Sequence, residues 1–191
     1  MRQKRCLWRQ RQAFIRARPD FVKRLVFIDE TYLNTKMFRL RGRALRGQRC
    51  HGHVPFGHWH TTSFIAGLRI NELTAPMILK GPIDGESFAA YVEQFLAPTL
   101  SKGDIIIMDN LPTHKNAVAR KAIEKRGAWI LFLPPYSPDM NPIERAFSKF
   151  KAHFRAHTPR TLEEIHNAAK SIIDLFSPNE CQNFFKAQNY L

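Results

Sequence analysis

Apolar and polar positions change their period several times along the chain, and each change marks an element. Leu25-Val26-Phe27-Ile28 is a continuous apolar run of strand length that stops at Asp29-Glu30, and it reads as a buried strand. Met37 to Arg41 and Thr61 to Ile70 are further strand candidates. Residues 73–80 make another, nearer an edge because Pro76 cannot donate to a ladder. The Gly-, Arg- and His-rich stretch 41–60 reads as turns and loop. From Gly85 to Leu96 the positions Phe88, Tyr91, Val92 and Phe95 recur at three and four residues, a helical apolar face that Pro98 closes. Ile105 to Met108, flanked by Asp104 and Asp109, predicts a strand buried on both faces. A basic helix over 114–126 ends at Gly127, and a buried strand follows from Trp129 to Leu133. After the turn Pro134-Pro135-Tyr136-Ser137-Pro138, a helix from Pro142 to about His157 carries Ile143, Phe147, Phe150 and Phe154 on one face. Two helices near 161–175 and 178–187 finish the chain. Strands come first, then strand–helix alternation, then helices. That order predicts an α/β fold with one mixed sheet of about five strands and helices on both faces. Residues 1–20, rich in Arg and Gln, read as a basic helical arm, and 21–191 as one domain without repeats.

Length and composition are consistent with that picture. The 191 residues suit a single domain, and 44% apolar content argues against disorder. No apolar run approaches the ~18 residues of a membrane span. The basic start has no apolar stretch behind it, so it does not read as a signal peptide. Cys6, Cys50 and Cys181 are odd in number and far apart, which gives no disulfide framework and no zinc pair. The expectation is a soluble cytoplasmic protein without a membrane partner. Charge adds a partner class. The net +14 is concentrated: residues 1–60 hold 15 Lys/Arg and 3 acids, and residues 61–191 hold 15 and 13. A local excess of this size attracts polyanions, of which nucleic acid is the commonest. A merely solvated surface is the alternative.

Two acids stand at the carboxyl ends of strands predicted to be central, Asp29 after L-V-F-I and Asp109 after I-I-I-M. Ligands of open α/β sheets collect at that end. If the two strands are neighbours, the two carboxylates share a crevice and repel, and a hard divalent cation such as Mg²⁺ or Mn²⁺ suits them. Taken singly, each Asp also fits a turn residue. A third acid, Glu144, equally fits a helix cap: Asn141 as N-cap, Pro142 at the first helical position, and Glu144 reaching back. His51, His53, His58 and His60 form an H-x-H pair of pairs, but no cysteine supports a zinc module, so they read as loop.

Three strings tie the acids together. Val26-Phe27-Ile28-Asp29-Glu30-Thr31 is the first, and Ile107-Met108-Asp109-Asn110 with His114 the second. The third runs Leu133-Pro134-Pro135-Tyr136-Ser137-Pro138-Asp139-Met140-Asn141-Pro142-Ile143-Glu144. They resemble the signature blocks of DDE transposases, in particular the bacterial insertion-sequence branch of the mariner superfamily. The 34 residues between Asp109 and Glu144 are similar to that branch's spacing. The resemblance covers about residues 20–190. It implies an RNase H-like fold with the first and fourth strands adjacent, and Asp29, Asp109 and Glu144 as the metal-binding catalytic triad. It also implies two Mg²⁺ or Mn²⁺ ions, cleavage of double-stranded DNA at an element's ends, strand transfer into a target, and a homodimer on DNA.

Around the triad, Asn110 and His114 are candidates for supporting the second Asp or touching DNA. Arg145 and Lys149 share a helix face and are candidates for phosphates. Arg39, Arg41, Arg43, Arg46 and Arg49 form a basic stretch suited to clamping DNA. Members of the family carry a helix-turn-helix region ahead of the catalytic domain. The 28 residues before Asp29 are too few for it, so a separate N-terminal polypeptide from a split gene, or a truncated remnant, is expected. A silent DNA-binding remnant and a nuclease without strand transfer stay open beside the transposase reading.

Overall fold

A computed structural model describes residues 2–191. The element order is α1 (Arg2–Arg16), α2 (Pro19–Lys23), β1 (Leu25–Asn34), β2 (Thr61–Leu68), β3 (Leu73–Lys80), α3 (Gly85–Tyr91), β4 (Ile105–Met108), α4 (Ala117–Lys125), β5 (Trp129–Phe132), α5 (Pro142–His157), α6 (Leu162–Ile173) and α7 (Pro178–Ala187). The five strands form one sheet in the order β3-β2-β1-β4-β5. β1, β2 and β3 pair antiparallel, whereas β4 lies parallel to both β1 and β5. The sheet is therefore mixed, and β1 sits at its centre beside the fourth strand.

Successive strand residues point to opposite faces, and the two cores follow that alternation. Leu25, Phe27 and Leu33 join Phe64, Ile107 and the aromatic face of α5 in one layer, which α1, α6 and α7 complete. Val26 and Ile28 join Ile65, Ile106 and Met108 in the other, covered by α3 and α4. Within the first layer Phe64 stacks on Phe150 with ring centres 4.4 Å apart. All four aromatic and aliphatic positions expected on the α5 face are buried.

Several local expectations need correction. β1 does not stop at Asp29-Glu30. It pairs with β2 from Phe27↔Leu68 to Asn34↔Thr61, and this ladder carries the polar residues along. Asp29 is therefore mid-strand. Met37 to Arg41 is not a strand. β2 has begun by Asn34↔Thr61, leaving that segment nothing to pair with, and it opens the loop 35–60, which is largely exposed from Arg39 onward. β5 is an edge, not a buried strand, and Trp129 is 69% exposed. The helix from Gly85 passes into a π-helical turn at Val92–Leu96. The wider turn shifts the phase of the apolar stripe, and Phe95 leaves the core at 41% exposure. The helix expected from residue 114 divides into a 3₁₀ turn, Pro112–Lys115, and α4, which Asn116 caps. The basic arm is a helix that packs on the domain through Trp8, Gln12 and Ile15. Among the described residues no helix is long and apolar enough to cross a membrane.

Candidate active site

Parallel pairing of β1 with β4 aligns Phe27 with Ile107. Two residues further on, Asp29 and Asp109 come level, and by alternation both lie on the α5 side of the sheet. α5 begins at Pro142, immediately after the proline-rich turn, and its first turn brings Glu144 to the same place. The three acids line one cleft of about 450 Å³ together with Asn110, Tyr136 and Asn141. Tyr136 is exposed and held at φ 53°, a left-handed conformation that a bulky residue rarely adopts.

Asp29 carries the electrostatic strain of the site. Burial, then the negative charges of Glu144, Glu30 and Asp109, push its carboxyl from 3.8 up to about 8. Its Oδ1 accepts from the Glu30 amide at 2.8 Å, and its Oδ2 accepts from Asn141 Nδ2 at 2.9 Å. Asn141 is the N-cap residue of α5 yet makes no side-chain cap bond. Capping boxes do form at α3, α6 and α7. At α5 Asn141 and Pro142 take the N-cap and first helical positions as expected, but the Asn141 side chain is turned to Asp29 and makes no cap bond. Asn141 is 2% exposed, and among the described residues its Oδ1 has no partner.

Asp109 has a different neighbour. By alternation Glu30 falls on the opposite face of β1 from Asp29, and His114 lies between Glu30 and Asp109. Its ring is fully buried, 4.6 Å from the Phe88 ring between centroids. Nε2 is 3.1 Å from Glu30 Oε2, and Nδ1 is 2.6 Å from Asp109 Oδ1 but off the hydrogen-bond axis. Burial opposes charge on this imidazole, but the Asp109 and Glu30 carboxylates outweigh it and push it up to about 9. At neutral pH a buried imidazolium thus faces Asp109 and Glu30, whereas a cation on which Glu144 and Asp29 act is Lys151. Lys151, two turns along α5 from Glu144, is lowered by burial and by Arg155, while Glu144 and Asp29 hold it up. Sequence reading missed both Glu30 and Lys151. The i, i+7 spacing from Glu144 was the available signal for Lys151.

The other candidates separate into groups. Asn110 lines the cleft, and Asp109 Oδ1 accepts from the Leu111 amide at 3.1 Å in a tight turn. Arg145 is exposed, with Nε 3.0 Å from the Gln188 amide oxygen in the orientation that satisfies both ends of that amide. Lys149 is outside the cleft lining. It pairs with Glu180 at 2.7 Å, donates to the Leu175 carbonyl at 2.9 Å, and covers the Phe176 ring. Its face of α5 abuts α7, which makes it a brace between helices instead of a phosphate contact. Arg39, Arg41, Arg43, Arg46 and Arg49 are exposed on loop 35–60, and among the described residues none has an ion-pair partner. The four histidines lie exposed on the same loop.

The donor set fits a hard divalent cation. It consists of carboxylate oxygens on one side of a sheet, buried and close enough together that the Asp29 carboxyl is raised. Among the described residues no three His, Cys, Asp or Glu side chains already converge as a cage. Mg²⁺ does not demand one, because it is commonly held by one or two carboxylates, water and substrate phosphate.

A sequence model of DDE superfamily endonucleases matches residues 24–166, a span that contains all three acids. The chain belongs to this family. Solved structures give the same fold. The Mos1 strand transfer complex superposes with a TM-score of 0.73 at 15% identity, over 93% of this chain and 56% of that one. The Mos1 paired-end complex with the left transposon end gives 0.71 at 16% identity, over 94% and 59%. The catalytic domain of Mos1 mariner transposase gives 0.66 at 14% identity, over 94% and 87%. The DDE endonuclease chain thus spans little more than half the length of the first two, and most of that catalytic domain. Its architecture is RNase H-like. A search of curated proteins found no match.

Proposed function

We propose that this DDE endonuclease is the catalytic part of a transposase that cuts DNA at the ends of an insertion sequence and joins the freed ends to a target. The observation that carries the proposal is the meeting of Asp29, Asp109 and Glu144 in one cleft, where burial and then the neighbouring acids raise the Asp29 carboxyl. Two Mg²⁺ or Mn²⁺ ions held by these three residues would supply charge neutralisation at phosphorus and an activated oxygen nucleophile. Mos1 supports the reading, having been solved as a strand transfer complex, as paired-end complexes, and with Mg and with Mn.

The chain's own residues do the positioning. Asn141 and the Glu30 amide each donate to one oxygen of Asp29 and so fix the plane of its carboxyl group. His114 supports Asp109 from behind, with Nδ1 2.6 Å from its Oδ1. The arginines of loop 35–60 bind the phosphate backbone beside the cleft, a sequence-independent and salt-sensitive contact. Water is the nucleophile of the first cut, and the freed 3′-hydroxyl is the nucleophile of joining. A homodimer on double-stranded DNA in the cytoplasm completes the proposal.

The test is one incubation of the chain with Mg²⁺ and DNA carrying the element's ends, scored for cutting and for joining. Cutting and joining are expected, and both are lost in Asp109→Asn with an unchanged circular dichroism spectrum. Persistence of metal-dependent cutting in Asp109→Asn refutes the site. Cutting without joining indicates a nuclease on this fold, and binding without cutting indicates a silent remnant.

A further inference from the structure

The turn that carries Asn141 has little regular structure to hold it. Pro134, Pro135 and Pro138 lack amide hydrogens, Tyr136 is strained, and only the 3₁₀ turn Pro138–Met140 organises the rest. What holds it comes from the two ends of the chain. Arg5, Trp8 and Gln12 sit three and four residues apart on one face of α1. Arg5 forks onto Asp139 at 2.5 and 3.0 Å and donates to Ser137 Oγ at 2.8 Å. Trp8 Nε1 donates to Tyr190 Oη at 2.9 Å, and Tyr190 Oη donates to the Met140 carbonyl at 2.9 Å. Gln12 Nε2 donates to the Gln188 carbonyl at 3.0 Å. Tyr190 is fully buried, wedged against Phe27 with ring centres 4.8 Å apart, and burial keeps its phenol protonated as a donor.

Met140 immediately precedes Asn141, and Asn141 donates to Asp29. The chain of bonds thus runs Trp8, Tyr190, Met140 carbonyl, Asn141, Asp29, through buried groups. A buried hydrogen bond of this kind fixes a peptide plane, because losing it leaves a carbonyl unsatisfied. We propose that Tyr190, anchored by Trp8, is a positioning residue for the carboxylate site: it fixes the Met140–Asn141 peptide and through it the orientation of Asp29. The role rests on the reading of the three carboxylates as a metal site. It makes α1 a strut of that site and not only a basic surface.

The test uses the full chain and Mn²⁺ alone as the probe. Tyr190→Phe keeps the ring between Phe27 and Phe185 and removes both bonds of the hydroxyl. Its half-saturating Mn²⁺ concentration is expected to rise about tenfold, the lower end for partners outside the ligand shell. Without metal, amide hydrogen exchange at Met140 to Glu144 is expected to quicken in Tyr190→Phe. Trp8→Phe is expected to weaken Mn²⁺ binding less, and to add nothing in the Tyr190→Phe background, because the two bonds act in series. Ile123→Val, in the opposite layer, controls for general loosening and is expected to leave Mn²⁺ binding unchanged. Unchanged Mn²⁺ affinity in a folded Tyr190→Phe overturns the inference while leaving the carboxylate site standing. An equal loss in Ile123→Val also overturns it. A wild-type chain that binds no Mn²⁺ overturns the site reading and the positioning role together.

Discussion

Asp29 couples the charge of the cleft to the stability of the whole chain. Its carboxyl is raised from 3.8 to about 8, by burial first and then by Glu144, Glu30 and Asp109. Between those values the folded chain keeps a proton that the unfolded chain has released. Stability is therefore fully present below the unfolded value and is lost as pH rises through the folded one. Each bound proton is worth about 1.4 kcal/mol per pH unit, so from pH 6 to 8 Asp29 removes about 2 kcal/mol. His114 acts in the same direction: burial opposes its charge, but Asp109 and Glu30 raise it from 6.5 to about 9. The metal-free chain should lose stability steadily across this range in urea unfolding followed by circular dichroism. Asp29→Asn removes one titrating group, so its profile should be shallower by about one proton, with the largest gain over wild type at the alkaline end. Saturating Mg²⁺ should flatten the wild-type profile similarly, because a bound cation replaces the proton on Asp29. If metal-free stability rose with pH, or if Asp29→Asn kept the wild-type slope, the account of the cleft as a buried cluster of repelling acids would fail.

Three further outcomes follow from the packing and the loop. Phe150 is fully buried and stacked on Phe64, so Phe150→Ala should cost about 3–5 kcal/mol, read as a lower urea midpoint. Thr158 ends α5 at φ 47°, where a β-branched residue is strained. Thr158→Gly should raise stability by about 1 kcal/mol in the same assay. Replacing Arg39, Arg41, Arg43, Arg46 and Arg49 with serine should flatten the dependence of log affinity for duplex DNA on log salt. The slope should change by about 0.9 for each phosphate that is no longer neutralised, measured by fluorescence anisotropy; an unaltered slope puts the phosphate-binding groups on another surface.

The fold was legible where burial on one or both faces imposes a clear period. Ile105 to Met108 reads as a strand because both its faces are covered, and α5 reads as a helix because its stripe of Ile143, Phe147, Phe150 and Phe154 packs against the sheet. Legibility failed where pairing overrides polarity. The second half of β1, Asp29 to Asn34, alternates too weakly to announce a strand, and the β2 ladder supplies the reason it is one. Met37 to Arg41 has the converse problem, since its strand-like composition finds no partner. Phe95 fitted the helical stripe until the π turn rotated it out, and nothing in the local pattern distinguishes a π turn from an α-helical one.

The candidate site was legible through its long motifs, as was His114 beside Asp109, but the partners that meet across the fold were not, for a physical reason. Asp29, Asp109 and Glu144 each end an apolar run or follow a proline turn, so their neighbours in sequence advertise them. Glu30 and His114 are 84 residues apart and meet only because β1 and the turn after β4 lie side by side. Asn141 looks like an N-cap in sequence because Asn before Pro is what a cap requires. Only the position of Asp29 across the layer explains why its amide is used elsewhere. Trp8 and Tyr190 are separated by 182 residues, and each alone reads as an ordinary buried aromatic. Their value to the site arises from a turn whose prolines cannot bond to the sheet, so its carbonyls must be held from outside. In this turn the Met140 carbonyl, next to Asn141, is held by Tyr190. For this chain that support makes α1, which the charge distribution marked only as a surface for polyanions, part of what orients the carboxylates.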